Sequence, residues 1–500
     1  MIKTSWIAAA ACCASLLAPS QAVLRAQGPT PAAPTAGDTI RLSLPDALAR
    51  ALDASDEVRL ARAQIELAEA QVGVARASAL PQLRLNTTYS HAYENARAQA
   101  VGSVFNQPNT YNANLNLSQS VFQGGRIFAG MRAASAVRQA TRFDAQETRA
   151  SVALGVQRAY LGALLAGRVA DIQAGNLAIA TQRLTQAEQF FTAGRVARYD
   201  VLRARVERAN LEPALIEARG AREMAVLELK RLLNLPVESP LALTTALDAD
   251  AASAAVAQIE AASSAAVVAS NRAAVRAAEL DLQARREGIR IARADYLPTL
   301  AISFANGYQA FPPPGMGFPS RFGEAAEQFC NPPAAGRVCQ NGGWFSDRAL
   351  NLTLSWPVFD GFRAKSNVDL AQAQMQLAQA QLQQERERVA IEAAQARTEL
   401  ARARATFEAR RQTALEAQEA FELASLRYGR GLSTQLEVSD AQLALLTAQV
   451  GEARAISDLY LAAAELARSL GRPIPLPGGA TIDVSEGAPR PSTNVISRGR

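Results

Sequence analysis

The 500-residue sequence holds one histidine, His91, and three lysines, Lys3, Lys230 and Lys365. A single histidine excludes most nucleophile–histidine triads and any zinc centre built on a histidine pair. None of the lysines stands in a G-x-x-x-x-G-K-[ST] loop, which excludes nucleotide hydrolysis by that route. Aromatic residues make up only 6% of the chain, a composition suited to long helices rather than thick globular cores. Basic blocks are missing as well: the net charge of +6 comes from arginines dispersed among acids, which is not the footprint of a nucleic-acid partner. Beyond the N-terminus no uncharged apolar run approaches the ~20 residues of a membrane-spanning helix. These absences argue against an enzyme and give no cofactor or metal to assign.

Four cysteines are present, and two of them, Cys12 and Cys13, fall in an N-terminal apolar run. Lys3, the run Trp6–Leu17 and the small-residue site "SQA" (Ser20–Ala22) predict a signal peptide over residues 1–22, followed by a linker over 23–41. The run is too short for a membrane anchor, and only alanines precede Cys12 as a context for lipid attachment. Export leads to an oxidising compartment, so Cys330 and Cys339, closing the loop "NPPAAGRV", are expected to form a disulfide.

The sequence contains itself twice. A shift of 237 residues carries "LSQSVFQGGR" (Leu117–Arg126) onto "LSWPVFDGFR" (Leu354–Arg363), Phe191 onto Tyr428, Gly194 onto Gly431, Asp200 onto Glu437 and Pro236 onto Pro473. Upstream, "ARASALPQL" (Ala75–Leu83) matches "ARADYLPTL" (Ala292–Leu300) at a shift of 217, which places a 20-residue insertion in the segment holding the two cysteines. A tandem duplication follows, with a first repeat over 42–235, a linker over 236–255, a second repeat over 256–472 and a tail over 473–500.

Each repeat reads in one order. A helix (about 56–78, then about 262–295) ends before a Leu-Pro pair. Two strands follow, at about 83–94 and 111–122, then at about 299–311 and 349–359. Phe122 and Gly124, and likewise Phe359 and Gly361, mark the change from strand to helix. Long helices are expected at about 126–193 and 198–233, then at about 363–430 and 434–470. Pro213 lies inside one of them, at the place of Val450 in the other, and predicts a kink or a break.

The strands alternate. Tyr111, Ala113, Leu115 and Leu117 are interleaved with Asn112, Asn114, Asn116 and Ser118; Leu350, Leu352, Leu354 and Trp356 with Asn351, Thr353 and Ser355. That pattern fits an antiparallel sheet with one wet face, and equally a transmembrane barrel. The export signal and the tyrosines near strand ends favour the barrel, where His91 takes a lining or interfacial place. Four strands do not close a barrel and an open edge is costly in lipid, so several chains must share one. The helices at about 126–193 and 363–430 would each extend roughly 100 Å. Their internal glycines, Gly155, Gly162 and Gly167, disfavour helix unless packing compensates. Val368, Ala371, Met375, Ala378, Leu382 and Val389 trace a heptad-like seam of modest side chains. Such a seam also suits the alternative reading, a non-transporting periplasmic or cell-surface coiled-coil structural protein.

In these features the whole mature chain resembles the outer-membrane efflux protein family, the TolC-like channels. The duplication, the Leu-Pro pairs, both strand-to-helix junctions, and the tips "FTAGRVARYDVLRA" and "YGRGLSTQLEVSDAQL" carry the resemblance. It implies a long-helix tunnel joined to a transmembrane β-barrel, formed by a homotrimer with twelve strands and twelve helices. The implied role is a passive outer-membrane channel of a tripartite efflux or type I secretion system. Its partners would be a periplasmic adaptor, an inner-membrane pump of RND or ABC type that supplies the energy, and outer-membrane lipid. The cargo is not implied.

The resemblance also assigns residues. Glu437 and Asp440 match two acidic positions at the tunnel entrance; three residues apart on a helix, they share a face, and three chains would set six carboxylates around one axis. Asp200 and Tyr428 match positions that help hold the tip closed, and the turns at Gly194 and Gly431 match surfaces that meet the adaptor. Ser433 stands where relatives carry an arginine, with Arg427 and Arg430 nearby.

Overall fold

Residues 39–94, 96–101, 108–263, 272–312, 318, 344–476 and 481–482 are described by a computed structural model. The expected signal peptide and the Cys330–Cys339 pair lie outside the described residues. A short strand β1 (Ile40–Leu42) leads into helices α1 (Leu44–Ala54) and α2 (Asp56–Ala77), whose shared boundary at Ser55 is capped by the serine hydroxyl accepting from Val58 N–H. Strands β2 (Gln82–His91) and β3 (Asn109–Gln123) flank a one-turn helix α3 (Ala96–Val101). Helix α4 (Arg126–Thr192) then runs 67 residues, and α5 (Arg198–Leu232) returns over 35.

The second half repeats this order. After β4 (Leu241–Leu243) come α6 (Ala249–Ser263) and α7 (Ala273–Arg293), then β5 (Thr299–Ala310) and β6 (Trp344–Ser355). Helix α8 (Arg363–Gly429) again has 67 residues and α9 (Gln435–Ser469) again has 35. Short strands β7 (Ile474–Pro475) and β8 (Thr481–Ile482) end the described chain.

Three local expectations are corrected. The helix expected at about 262–295 has its start corrected: α7 begins at Ala273, and Arg272, which caps it, is extended. The strand expected at 349–359 begins earlier and stops at Ser355: β6 pairs with the whole of β5, from Thr299↔Ser355 to Ala310↔Trp344, and Pro357 has no N–H to carry the ladder on. Of the kink or break expected at Pro213, the break does not occur: α5 continues through it with one backbone bond fewer.

The large sheet is antiparallel in the order β2-β3-β5-β6, so β3 and β5 join the two halves while β2 and β6 are left as edges. Its register puts Leu83, Leu117, Phe304 and Leu350 in one row, with Leu85 opposite Leu115 and Ile302 opposite Leu352 on the same face. The other face carries Asn86 opposite Asn114 and Thr88 opposite Asn112. Leu350, Leu352 and Leu354 are 73%, 67% and 68% exposed, so nothing among the described residues covers this part of the apolar face. No helix among the described residues is long and apolar enough to cross a membrane.

The core sits at mid-length of the long helices. One cluster unites α6 (Val256, Ile259), α8 (Leu400, Phe407) and α9 (Leu459, Tyr460, Leu466). A second joins α1 (Leu44, Leu48) to α4 (Val156, Tyr160) and the end of α5 (Leu229, Leu233). Tyr160 Oη donates to Leu42 O at 2.8 Å and accepts from Thr245 N–H at 3.3 Å, tying β1 and the segment after β4 to α4. The seam on α8 packs Ala378, Leu382 and Val389 against Val275 and Leu282 of α7.

Candidate functional site

Both long hairpins turn alike at one end of the molecule. At the end of α4, Gly194 takes φ 71°, Gly194 N–H bonds Phe191 O at 2.9 Å and Arg195 N–H bonds Phe190 O at 2.8 Å. At the end of α8, Gly431 takes φ 75°, with Gly431 N–H on Tyr428 O and Leu432 N–H on Arg427 O, both at 2.9 Å. A left-handed residue after the last turn captures orphan carbonyls, and glycine reaches that conformation without a Cβ penalty. The structure therefore gives both glycines a terminating role and leaves their surfaces exposed.

The returning helices begin differently. Asp200 Oδ2 accepts from Ala197 N–H at 3.1 Å, stabilising the first turn of α5. For α9 the cap is Thr434, whose hydroxyl accepts from Glu437 N–H at 3.4 Å. Glu437 Oε2 also accepts from Ser433 Oγ at 2.7 Å and lies 4.0 Å from Arg427 Nη1. Both side chains of that pair are half exposed, so Arg427 restrains Glu437 only weakly. Glu437 and Asp440 both face solvent, on the side of α9 opposite buried Val438.

Beneath this surface lies a polar knot that sequence reasoning missed. Arg183 of α4 is 13% exposed, lies 3.7 Å from Glu207 of α5 and donates to Val438 O of α9 at 3.4 Å. Its guanidinium also stands 5.4 Å from the ring centroid of Phe421 on α8, which makes it common to all four tip helices. Ser439 Oγ donates to Glu207 Oε2 at 2.8 Å. Burial pushes the Arg183 pKa down, against the charge of Glu207. Burial pushes the half-buried Tyr428 hydroxyl up; Asp200 adds to that and Arg183 opposes it. Tyr428 thus feels the charge of Asp200, while the carboxylate's hydrogen bond goes to Ala197. The signal in the sequence is position alone: Arg183 and Glu207 lie at similar distances on either side of Gly194.

Further along, Gln442 Nε2 donates at 3.3 Å to both Asn176 O and Asn176 Oδ1, a second buried polar link between α4 and α9. At mid-length Arg272, with a side chain only 2% exposed, binds Glu147 of α4 at 2.7 Å and Glu392 of α8. Arg468 of α9 reaches the same two carboxylates at 3.0 and 3.7 Å. Burial alone would raise the Glu392 pKa, but the Arg272 hydrogen bond and the neighbouring arginines hold it below the usual carboxylate range. Among the described residues no group of acids, histidine or cysteine is placed to hold a metal ion.

The strand-to-helix junctions form the opposite boundary of the helical part. Gly124 and Gly125 take φ 59° and 81°, whereas Gly361 and Phe362 both take 66°. A Cβ on Gly124 would stand 2.9 Å from Ala294 O and 3.0 Å from Leu297 Cβ; one on Gly361 would meet nothing within 4 Å. Phe122 and Phe359 are 44% and 78% exposed. Asp295 binds Arg126 at the start of α4 and accepts from Asn367 Nδ2 near the start of α8 at 3.0 Å, so one carboxylate holds both junctions together. His91 ends β2, with Nδ1 2.7 Å from Asn109 Oδ1 and its ring edge-on to Tyr93.

Comparison with known proteins places this architecture. The Outer membrane efflux protein family model matches residues 47–235 and 265–472. The cobalt-zinc-cadmium resistance protein CzcC of Cupriavidus metallidurans is 24% identical over 425 residues, covering 85% of this chain and 89% of that protein. The outer membrane protein VceC of Vibrio cholerae superposes with a TM-score of 0.66 at 20% identity, over 86% of this chain and 96% of that one. The open state of the MtrE outer membrane channel of Neisseria gonorrhoeae gives 0.66 at 20% identity, over 86% and 89%. At such identities the solved structures speak for the fold.

Proposed function

The chain belongs to the outer membrane efflux protein family, and from that premise we propose that three copies form one passive exit duct in the outer membrane. The observation that carries this reading is the large sheet. Among the described residues it exposes a largely uncovered apolar face, leaves both β2 and β6 as unpaired edges, and has too few strands to close alone. Pairing β6 of one copy with β2 of the next removes every edge, and three copies give twelve strands. The 67-residue helices α4 and α8 then continue the wall into the periplasm for roughly 100 Å.

The tip is the periplasmic end of that duct. The Arg183–Glu207 knot and the Tyr428–Asp200 neighbourhood hold the four tip helices of each copy together in the closed arrangement. Glu437 and Asp440, on the exposed face of α9, form a ring of carboxylates around the axis that concentrates cations. The turns at Gly194 and Gly431 meet a periplasmic adaptor, which links the duct to an inner-membrane pump that provides the driving force. The name of the relative CzcC concerns resistance to cobalt, zinc and cadmium, and a cation-attracting entrance suits cargo of that charge.

Single cysteines on the two sheet edges, at Thr88 and Asn351, test the arrangement. Oxidation in intact cells should give a ladder that ends at three chains. A ladder that stops at two chains, or none at all, contradicts shared closure. Replacing both Glu437 and Asp440 by alanine should lower cation preference and divalent block in planar bilayers; unchanged selectivity removes the ring.

A further inference from the structure

The apolar face of the large sheet carries a charged side chain at one level. Across the sheet the row reads Leu85, Leu115, Asn306 and Arg348. The row toward the helices is wholly apolar, Leu83, Leu117, Phe304 and Leu350, while the row nearest the strand tips is Tyr89, Tyr111, Ala310 and Trp344. Arg348 is exposed. Asn306 Oδ1, beside it, is buried without a hydrogen-bond partner among the described residues.

Depth decides what this pair meets. Four residues separate Arg348 from Trp344, about 13 Å along the strand and, at a tilt of ~40°, about 10 Å along the membrane normal. Trp356, whose Nε1 donates to Tyr296 O at 3.2 Å, marks the other rim and lies twice as many residues away. The helices depart from that other rim, so Arg348 lies toward the outer leaflet. An arginine facing lipid is destabilising unless its guanidinium finds a polar partner, and its apolar stem allows it to reach up to the interface. On its own face its neighbours are Ser346, Leu350, Tyr308, Phe304 and Asn306, none of them acidic. The β2 strand of an adjoining copy would bring Leu83, Leu85, Thr87 and Tyr89, again without a carboxylate. Among the described residues this face supplies no anion, whereas lipid headgroups carry them.

We propose that Arg348, oriented by Asn306, is a site on the lipid-facing wall for a phosphate group of an outer-leaflet phosphoglycolipid. Asn306 Oδ1 accepts one guanidinium N–H, and the remaining fork binds the phosphate oxygens in pairs. In the row above, the exposed ring of Tyr89, its centroid 4.8 Å from that of Tyr111, offers the sugar an apolar contact, while Phe318 packs edge-on against Tyr111 and the buried Trp344 at 5.2 and 5.9 Å. The site rests on the barrel reading.

The test uses the full, processed protein, purified in detergent and first checked for conduction in planar bilayers. Bound lipid is counted by native mass spectrometry after incubation with diphosphorylated lipid A, its dephosphorylated form, or phosphatidylglycerol. The unaltered protein should retain diphosphorylated lipid A selectively, and Arg348→Gln about tenfold less. Arg348→Lys, which keeps the charge but loses the fork, should fall between, and Asn306→Leu should also lose retention. If Arg348→Gln does not assemble, the lysine and leucine variants carry the comparison. Equal retention across the variants, or a preference for phosphatidylglycerol, overturns the lipid site and leaves the channel reading intact. Failure of the unaltered protein to conduct overturns the channel reading and the lipid site with it.

Discussion

The two halves share a plan to the residue in their long helices, 67 against 67 and 35 against 35, yet differ at their strand-to-helix junctions and helix ends. The first junction needs two glycines, and one of them is wedged against Ala294 and Leu297 of the second half. The second junction is open enough to hold Phe362 at positive φ, with Asp360 Oδ2 accepting from Ala364 N–H at 2.8 Å to start the helix. Helix α5 closes through Asn234 at φ 51°, whereas α9 closes through Gly471 at φ 63°. The comparison teaches that length and order follow from patterning within each half, while irreplaceable residues lie at contacts between them.

Six substitutions break or sharpen that contrast. The largest effect is expected at Arg272, which joins Glu147 of the first half to Glu392 of the second. Arg272→Met leaves two partly buried carboxylates short of a partner and should cost about 3 kcal/mol in detergent unfolding. Because Glu392 is held below its ordinary pKa, its stabilising share is present at neutral pH and lost as pH falls below the usual carboxylate range. Acidification should therefore weaken the unaltered protein more than the methionine variant, as thermal unfolding across pH will reveal. Next comes Gly124→Ala, which adds a backbone clash to left-handed strain and should cost about 2–3 kcal/mol. Gly361→Ala, strained but unobstructed, should cost about 1 kcal/mol; equal losses would erase the distinction between the junctions.

A smaller effect on stability but a visible one on function is expected at Arg183. Arg183→Ala should loosen the tip and raise the spontaneous open probability of single channels, whereas Arg427→Ala, at a half-exposed pair, should change it little. The smallest effect is Phe362→Gly. It removes left-handed strain but also the edge-on contact with Phe359 at 5.6 Å, for a net gain below about 1 kcal/mol.

Alternating asparagines and leucines make β3 visible in the sequence, because a period of two has one physical meaning at that length. The 67-residue helices, which contain no proline, were visible from that absence and from the paired glycine turns. Residues Trp344–Arg348 were not visible as strand, since Ser346, Asp347 and Arg348 interrupt the apolar alternation and only pairing with β5 holds them extended. The start of α7 was hidden by an alanine-rich sequence that favours helix; Arg272, extended just before it, turns inward to its carboxylates. At the tip, Asp200, Tyr428, Glu437 and Asp440 came from resemblance, whereas Arg183 and Glu207 became apparent only when four helices were brought side by side. An arginine among many arginines carries no mark in one dimension.

The central claim is a shared barrel that conducts. The most direct measurement adds the purified, processed protein to a planar lipid bilayer. The account predicts discrete, stable conductance steps from trimeric protein that requires detergent to leave the membrane. A water-soluble single chain that leaves the bilayer silent would contradict it.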